Sequence, residues 1–438
     1  MKYYPHTEEE VTDMLRSIGV SSVDEFFSDI PPDKIIKKLN LPPPMSEYEV
    51  VKAITELSQL NESCLKKPSF LGAGSYRHFI PAVVNAVLSR SEFYTSYTPY
   101  QAEASQGILQ TIFEYQTLIC ALTGLDVSNA SLYDGSTACA EAVSMAINHT
   151  GKKEILYSAA LHPEYVEVLK TYFNPSGMAI LREIPLSEGT IDDKFVEENV
   201  TANTAGVIIQ NPNCLGFIER AEKISKAVKE KNSKTLFIIA VTEPHSLGIL
   251  KNPGECGADI CIGEGAGLGI PPSFGGPYLG FMAVKAALLR RIPGRLVGQT
   301  IDADGKRAFC LTLQAREQHI RRDKAASNIC TNEALCALAA SVYLSYLGKS
   351  GFSALARLNF SRAVYLKDRI TSIKGFKLLA DRPFFNEFTV KCPDNPVKIW
   401  RYLSRHGITG GFVTGKWRIE WADCLTFCVT ELNDKDGM

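Results

Sequence analysis

The sequence predicts an α/β fold: a large, mostly parallel sheet covered by helices on both faces, followed by a smaller C-terminal α/β domain. Three observations predict it. Short β-branched runs alternate with helical patterns from about residue 105 onward, the rhythm of strand–helix–strand units. The strands, such as Gly206-Val-Ile-Ile-Gln210 and Thr235-Leu-Phe-Ile-Ile-Ala-Val241, are apolar enough to lie between two helical layers. With 438 residues, 45% hydrophobic and 22% charged, the chain is long enough for a large core divided among two or three domains.

The first region, residues 1–60, is expected to be a helical arm. Thr7 with Glu10 and Ser46 with Glu49 have the capping-box form, and each opens a helical pattern. Pro31-Pro32 and Pro42-Pro43-Pro44 punctuate the stretch between them. A large domain follows over 61–330. Within it, residues 105–123 have helical spacing, with Ile108, Ile112, Tyr115 and Ile119 on one side. Predicted helices over 138–148, 163–173 and 221–230 then alternate with strands over 154–157, 179–184, 206–210 and 235–241. A long helix over 332–347 links to a small domain, 331–438, with a strand at 385–391 and a helix at 396–405. Residues 407–412 and 425–430 are further extended pieces.

Charge and composition exclude several classes. A formal net charge of -1 gives no electrostatic footprint for nucleic acid or an acidic membrane. No apolar run reaches the length of about 18 residues that spans a bilayer. The acidic N-terminus lacks the apolar core of a signal peptide. The twelve cysteines, with no Cys-x-x-Cys pair, are expected to be reduced thiols of a cytoplasmic protein, and no metal site is expected.

Five segments stand out chemically. Residues 259–279 run from an apolar strand into a glycine- and proline-rich turn, the kind of backbone that bends tightly or approaches a ligand. In Asp134-Gly-Ser-Thr137, Gly135 and Ser136 begin a helix and suit either a plain N-cap or a phosphate. Residues 93–103 carry three tyrosines and suit a polar site wall, a subunit interface or a buried loop. Residues 314–328, with Arg316 to Lys324, have the mixed charge of a solvated, salt-bridged face. His162 starts a helix after a strand, where a structural and a functional role both remain open.

Together these segments resemble the glycine dehydrogenase (decarboxylating) family, the P-protein of the glycine cleavage system. The motifs are Tyr97-Thr-Pro-Tyr-Gln101, Phe113-Glu-Tyr-Gln-Thr117, Asn129-Ala-Ser-Leu-Tyr-Asp-Gly-Ser-Thr-Ala138, Arg316-Glu-Gln-His-Ile-Arg-Arg322 and Ser327-Asn-Ile-Cys-Thr331. The match runs from Tyr4 to about Glu431 and is closest to the N-terminal (alpha) subunit of the split form. The resemblance implies the aminotransferase-like, pyridoxal-phosphate-dependent type I fold. It also implies decarboxylation of glycine and transfer of the aminomethyl group to the lipoyl arm of the H-protein.

The departures from that family then set expectations for this chain. Alignment of the Gly-Pro loop places Ala266 where the Schiff-base lysine belongs, and no lysine lies between Lys251 and Lys285. The strand that should end in an aspartate for the pyridine nitrogen ends instead in Thr242-Glu243-Pro-His245. Gly135, Ser136 and His162 would be remnants of a cofactor site. The cofactor is therefore expected on a partner beta subunit, in an α2β2 assembly that meets the H-protein. Tyr97, Thr98, Tyr100, Gln101, Gly72 and Gly74 are the expected contributors to the partner's pocket. The alternatives are a pseudoenzyme that senses glycine or a phosphate compound, and an independent decarboxylase using another lysine.

Overall fold

The computed structural model describes residues 5–36, 38–325 and 327–438. It divides into two compact units, Met1–Ser63 and Cys64–Met438. In the first unit, helix α1 (Glu8–Ile18) is opened by Thr7 and helix α2 (Glu47–Gln59) by Ser46. Each cap is reciprocal: Glu10 N donates to Thr7 Oγ1, and Thr7 N donates to the Glu10 carboxylate at 2.6 Å. Ser46 and Glu49 repeat the exchange, satisfying N–H groups that the helix cannot bond internally.

The second unit begins with helices α3 (Ala82–Leu88), α4 (Ser91–Tyr94) and α5 (Gln106–Thr123). The four residues expected on one side of α5, Ile108, Ile112, Tyr115 and Ile119, are all buried. Strand β1 (Val127–Ser128), helix α6 (Gly135–Thr150), strand β2 (Glu154–Ser158), helix α7 (Pro163–Phe173) and strand β3 (Ile180–Ile184) follow. A hairpin of β4 (Leu186–Ser187) and β5 (Thr190–Ile191) leads to α8 (Asp193–Asn199), β6 (Thr204–Gln210), α9 (Ala221–Lys231), β7 (Leu236–Val241), β8 (Ile260–Glu264) and β9 (Gly280–Val284).

These strands form a seven-stranded sheet in the order β1-β9-β8-β7-β6-β2-β3. β3, β2, β6, β7 and β8 are parallel, whereas β9 runs antiparallel to both its neighbours. Successive side chains of a strand point to opposite faces, and β7 shows it. Phe237, Ile239 and Val241 enter one core cluster, while Leu236, Ile238 and Ala240 enter the other. Each large apolar side chain taken from water contributes about 1.5–3 kcal/mol, and this two-sided burial holds the sheet.

Beyond the sheet, β10 (Leu296–Ile301) and β11 (Arg307–Thr312) make an antiparallel ribbon, followed by the short helix α10 (Gln318–Arg321). The run α11 (Ala334–Thr371) is two helices joined across Gly348, whose φ of 59° lies outside the helical region. The predicted linking helix is the first of the two. Strands β12 (Lys377–Leu378), β13 (Glu387–Lys391), β14 (Phe412–Val413) and β15 (Cys424–Cys428), with helix α12 (Pro396–Arg405), form the small C-terminal sheet in the order β12-β13-β15-β14. Among the described residues no helix is long and apolar enough to cross a membrane. The parallel strands deliver Ser158, Gln210, Val241 and Glu264 to one edge, and loops beyond that edge are where ligands bind in such sheets.

Candidate functional site

The first N–H groups of α6 are taken by the chain's own carboxylates. Asp134 is the N-cap, and its Oδ1 accepts from Ser136 N at 2.8 Å and Thr137 N at 2.9 Å. Gly135 N donates to Glu264 Oε2 at 3.0 Å. The other oxygen of Glu264 accepts from Ala266 N at 2.9 Å and Leu279 N at 2.8 Å. Burial pushes the Glu264 carboxyl up to about 7, with the three N–H bonds acting against it. A helix N-terminus attracts anions, and here Asp134 and Glu264 already serve that role. Gly135 has to be glycine, because a Cβ there would collide with the Tyr165 hydroxyl.

His162 lies beside this turn and is 5% exposed. Its backbone N donates to Gln210 Oε1 at 2.8 Å, its Nδ1 accepts from Glu164 N, and its Nε2 donates to Ala73 O at 2.9 Å. These bonds fix the tautomer, and burial lowers its pKa, so the ring is neutral. The loop of residues 70–76 closes over it. Gly74, at φ +95°, comes so near that a Cβ would sit 2.7 Å from His162 Nε2. Gly72 likewise leaves no room for a Cβ beside Glu387 and Cys428. Ala73 N and the Tyr76 hydroxyl both donate to Glu387 at 2.6 Å. Gly72 and Gly74 thus pack within their own chain. Together with Asp134, Gly135, Ser136, His162 and Glu264, the loop lines a cleft of about 420 Å³.

Glu243, just past β7, lies at the centre of a buried charge cluster. His78 Nε2 meets Glu243 Oε2 at 3.0 Å, and His78 Nδ1 meets Glu431 Oε2 at 3.0 Å. His245 Nδ1 donates to Glu243 Oε1 at 2.8 Å, and its Nε2 lies 2.9 Å from the Tyr343 hydroxyl. Asn386 Nδ2 donates to Glu243 at 3.1 Å. Burial pulls His78 down, but the two carboxylates outweigh it and hold the imidazolium at about 10. Burial raises Glu431 and His78 lowers it, with the balance at about 2. Burial and the neighbouring His78 charge lower the pKa of His245. Donor atoms of His78, Glu243 and His245 lie within 4.8 Å of one another, but the imidazole nitrogens that face Glu243 are already bonded to it. Sequence reasoning weighed Glu243 and passed over His78 and Glu431; their separation of 353 residues leaves no local pattern to find.

Pyridoxal phosphate does not fit these residues. Ala266 offers no amine, the α6 donors face carboxylates, Ala73 and Gly74 cover His162, and Glu243 is committed to two histidines and Asn386.

The tyrosine segment is the opposite case. Tyr97 is 88% exposed and Gln101 is exposed, with Thr98 half-buried. Tyr100 is anchored at one end: the Arg295 guanidinium lies 5.5 Å from its ring centroid, and the His319 ring is 5.9 Å away. Arg295 is itself fixed by Cys330 O and Thr331 Oγ1, both at 2.8 Å. The Gly-Pro loop ends in Phe274, 99% exposed, with Gly275 and Gly276 at positive φ beside it.

The charged run 314–328 departs from the expected solvated face. Arg321, Arg322 and Lys324 are exposed, but Glu317 is buried and Arg316 bonds the carbonyls of Ile292 and Gly294. Leu313 at φ 52° interrupts the backbone, and only four residues form α10. A long helix that could present one polar face does not develop.

Comparison with known proteins gives the context. A family model described as "Glycine cleavage system P-protein" matches residues 1–413. A probable glycine dehydrogenase (decarboxylating) subunit 1 from Carboxydothermus hydrogenoformans is 50% identical, covering 100% of this chain and 97% of the relative. One of the same description from Desulforamulus reducens is 48% identical over 98% of this chain and 96% of its own length. Among solved structures, the glycine decarboxylase (P-protein) of the glycine cleavage system in inhibitor-bound form superposes with a TM-score of 0.90 at 42% identity, over 100% of this chain and 97% of that one. A NifS-like protein, at 13% identity and a TM-score of 0.62 over 85% of this chain and 96% of its own, shares the fold.

Proposed function

The chain belongs to the glycine cleavage system P-protein family, and from that premise we propose that it is the alpha subunit of glycine dehydrogenase (decarboxylating). It acts with a beta subunit in an α2β2 assembly. The pair decarboxylates glycine with pyridoxal phosphate and passes the aminomethyl group to the lipoyl arm of the H-protein. The cofactor sits on the beta subunit, and this chain completes the beta subunit's pocket.

One observation carries the assignment of roles: every anchor that would hold the cofactor in this chain is absent or satisfied from within. Ala266 replaces the amine. Glu264 takes the Gly135 N–H, and His78 takes Glu243. A buried carboxylate bonded in this way is costly to displace, because leaving such a group without a partner costs about 1–3 kcal/mol or more. Gly135, Ser136 and His162 accordingly serve as a structural remnant.

Tyr97, Thr98, Tyr100 and Gln101 are the residues proposed to reach the partner's pocket: Tyr97 and Gln101 stand exposed, and Arg295, which donates to the Tyr100 hydroxyl at 3.4 Å, holds the segment in place. They would orient substrate by hydrogen bonding and keep water from the reacting centre. Gly72 and Gly74 support that face only indirectly, by letting residues 70–76 close on His162 and Glu387.

Co-expression with the beta subunit tests the proposal. Glycine decarboxylation with lipoylated H-protein should need both chains, and the visible absorbance of bound cofactor should follow the beta chain on separation. Cofactor absorbance with turnover from this chain alone would overturn it.

A further inference from the structure

A second cavity lies on a different part of α6. It opens about 13 Å along the helix from the N-terminal turn, at 1.5 Å of rise per residue. Its volume is about 130 Å³, well below the roughly 300–1,000 Å³ of pockets for drug-sized ligands. Its occupant therefore has few heavy atoms.

The lining carries both signs of charge, arranged by depth. At the base are Glu141 and Glu317, both buried. Among the described residues Glu317 Oε1 is buried with no hydrogen-bond partner, and so is Arg316 Nε. Burial pushes the Glu141 carboxyl up to about 7, with the neighbouring Ser327 hydroxyl acting against it. The rim is formed by Arg290, Arg291 and Arg321, all exposed. Glu317 has His319 Nδ1 at 3.8 Å from one oxygen and the Arg316 charge nearby, which leaves its other oxygen and Glu141 as the buried acceptors facing the cavity. Such groups are costly to leave unanswered, and three guanidinium groups at a mouth favour a carboxylate entering between them.

We propose that this cavity binds a small zwitterionic α-amino acid. Its ammonium group is directed to Glu141 and Glu317, and its carboxylate to the arginine rim. A simple anion meets the rim but leaves the two acids unanswered, and a simple cation must pass three positive charges to reach them. A zwitterion of five or so heavy atoms answers both. The proposal also gives a role to the Arg316-Glu317 pair and Arg321, which the assignment of the catalytic subunit leaves unused. It is independent of that assignment, and it adds a binding site to the subunit without altering its part in turnover.

The probe is glycine, titrated into the full-length chain without its partner and followed by calorimetry. One glycine per chain is expected. Glu141→Gln, which keeps the shape of the side chain, should weaken binding at least tenfold. Arg321→Ala, on the exposed rim, should weaken it severalfold with the thermal transition unchanged. Acetate and methylamine, each carrying one half of the zwitterion, should bind more weakly than glycine. Absence of glycine binding, binding that ignores both substitutions, or acetate or inorganic phosphate binding as tightly as glycine would each overturn the proposal. Because no beta subunit is present, any of these results leaves the two-chain activity assay to be judged separately.

Discussion

The cleft at the start of α6 and the tyrosine loop at 97–101 hold their polar groups in opposite states. In the cleft, Gly135, His162 and Glu264 are buried, as is Glu243 in the His78 cluster, and each polar group is answered by another from the same chain. On the loop, Tyr97 and Gln101 stand in solvent, and only Tyr100 is anchored, through Arg295. Polar groups in a low-dielectric interior must be satisfied or they destabilise the fold. A site that has lost its ligand is therefore expected to fill with internal partners. A surface that awaits another chain is under no such constraint. On the proposed reading, that difference is what would separate a remnant site from one completed by a partner.

The largest expected effect tests the internal side. His78→Ala leaves Glu243 and Glu431 facing each other without the imidazolium, and should cost about 3–5 kcal/mol of stability. Denaturant unfolding measures it, and a loss under about 1 kcal/mol would mean the cluster contributes little to the fold.

The same cluster has a pH signature. His78, raised to about 10 from an ordinary 6.5, stabilises fully below 6.5, and that contribution is lost as pH rises toward 10. Glu431, lowered to about 2 from 4.5, stabilises above 4.5 and loses its contribution as pH falls toward 2. The joint contribution of His78 and Glu431 should therefore be greatest between about pH 4.5 and 6.5, with the lowered His245 acting against it below 6.5. A thermal-melt series compared with His78→Ala should show the two proteins' stabilities converging on either side of that window.

The exposed side predicts the reverse pattern. Tyr97→Ala should leave the stability of this chain within about 0.5 kcal/mol. It should also lower turnover of the two-chain enzyme on the order of tenfold, or 1.4 kcal/mol of barrier. Full turnover in a complex of normal stoichiometry would remove the loop from the site.

The smallest effect is a null. Ala266→Lys restores the missing amine and nothing else, so the variant purified alone with added pyridoxal phosphate should remain colourless. Stable visible absorbance would show that the carboxylates and His78 do not bar the cofactor.

Much of the fold was legible because its signals are local. The bounds predicted for the helices at 163–173 and 396–405 are those observed, since proline at the first helical position fixes where each begins. The strand expected from 385 starts at Glu387, while Phe385 is still buried ahead of the ladder. The burial of Glu317 was not legible: charge spacing reports a helical face only if the helix forms, and the extended backbone at Glu317 and the positive φ at Arg322 break it. The absent lysine could be read from a single position. What occupies its surroundings could not, because Glu264 meets Gly135 across 129 residues and His78 meets Glu243 across 165.

Glu264 has a consequence for how such a chain can change over time. A lysine gained first at position 266 would find the phosphate turn closed. Losing Glu264 first would strip partners from Gly135, Ala266 and Leu279 before any cofactor could replace them. Either first step is unrewarded or harmful, so selection would seldom pass through it. On the proposed reading, the carboxylate would act as an evolutionary ratchet: with it settled on the helix end, a division of labour between subunits is hard to undo.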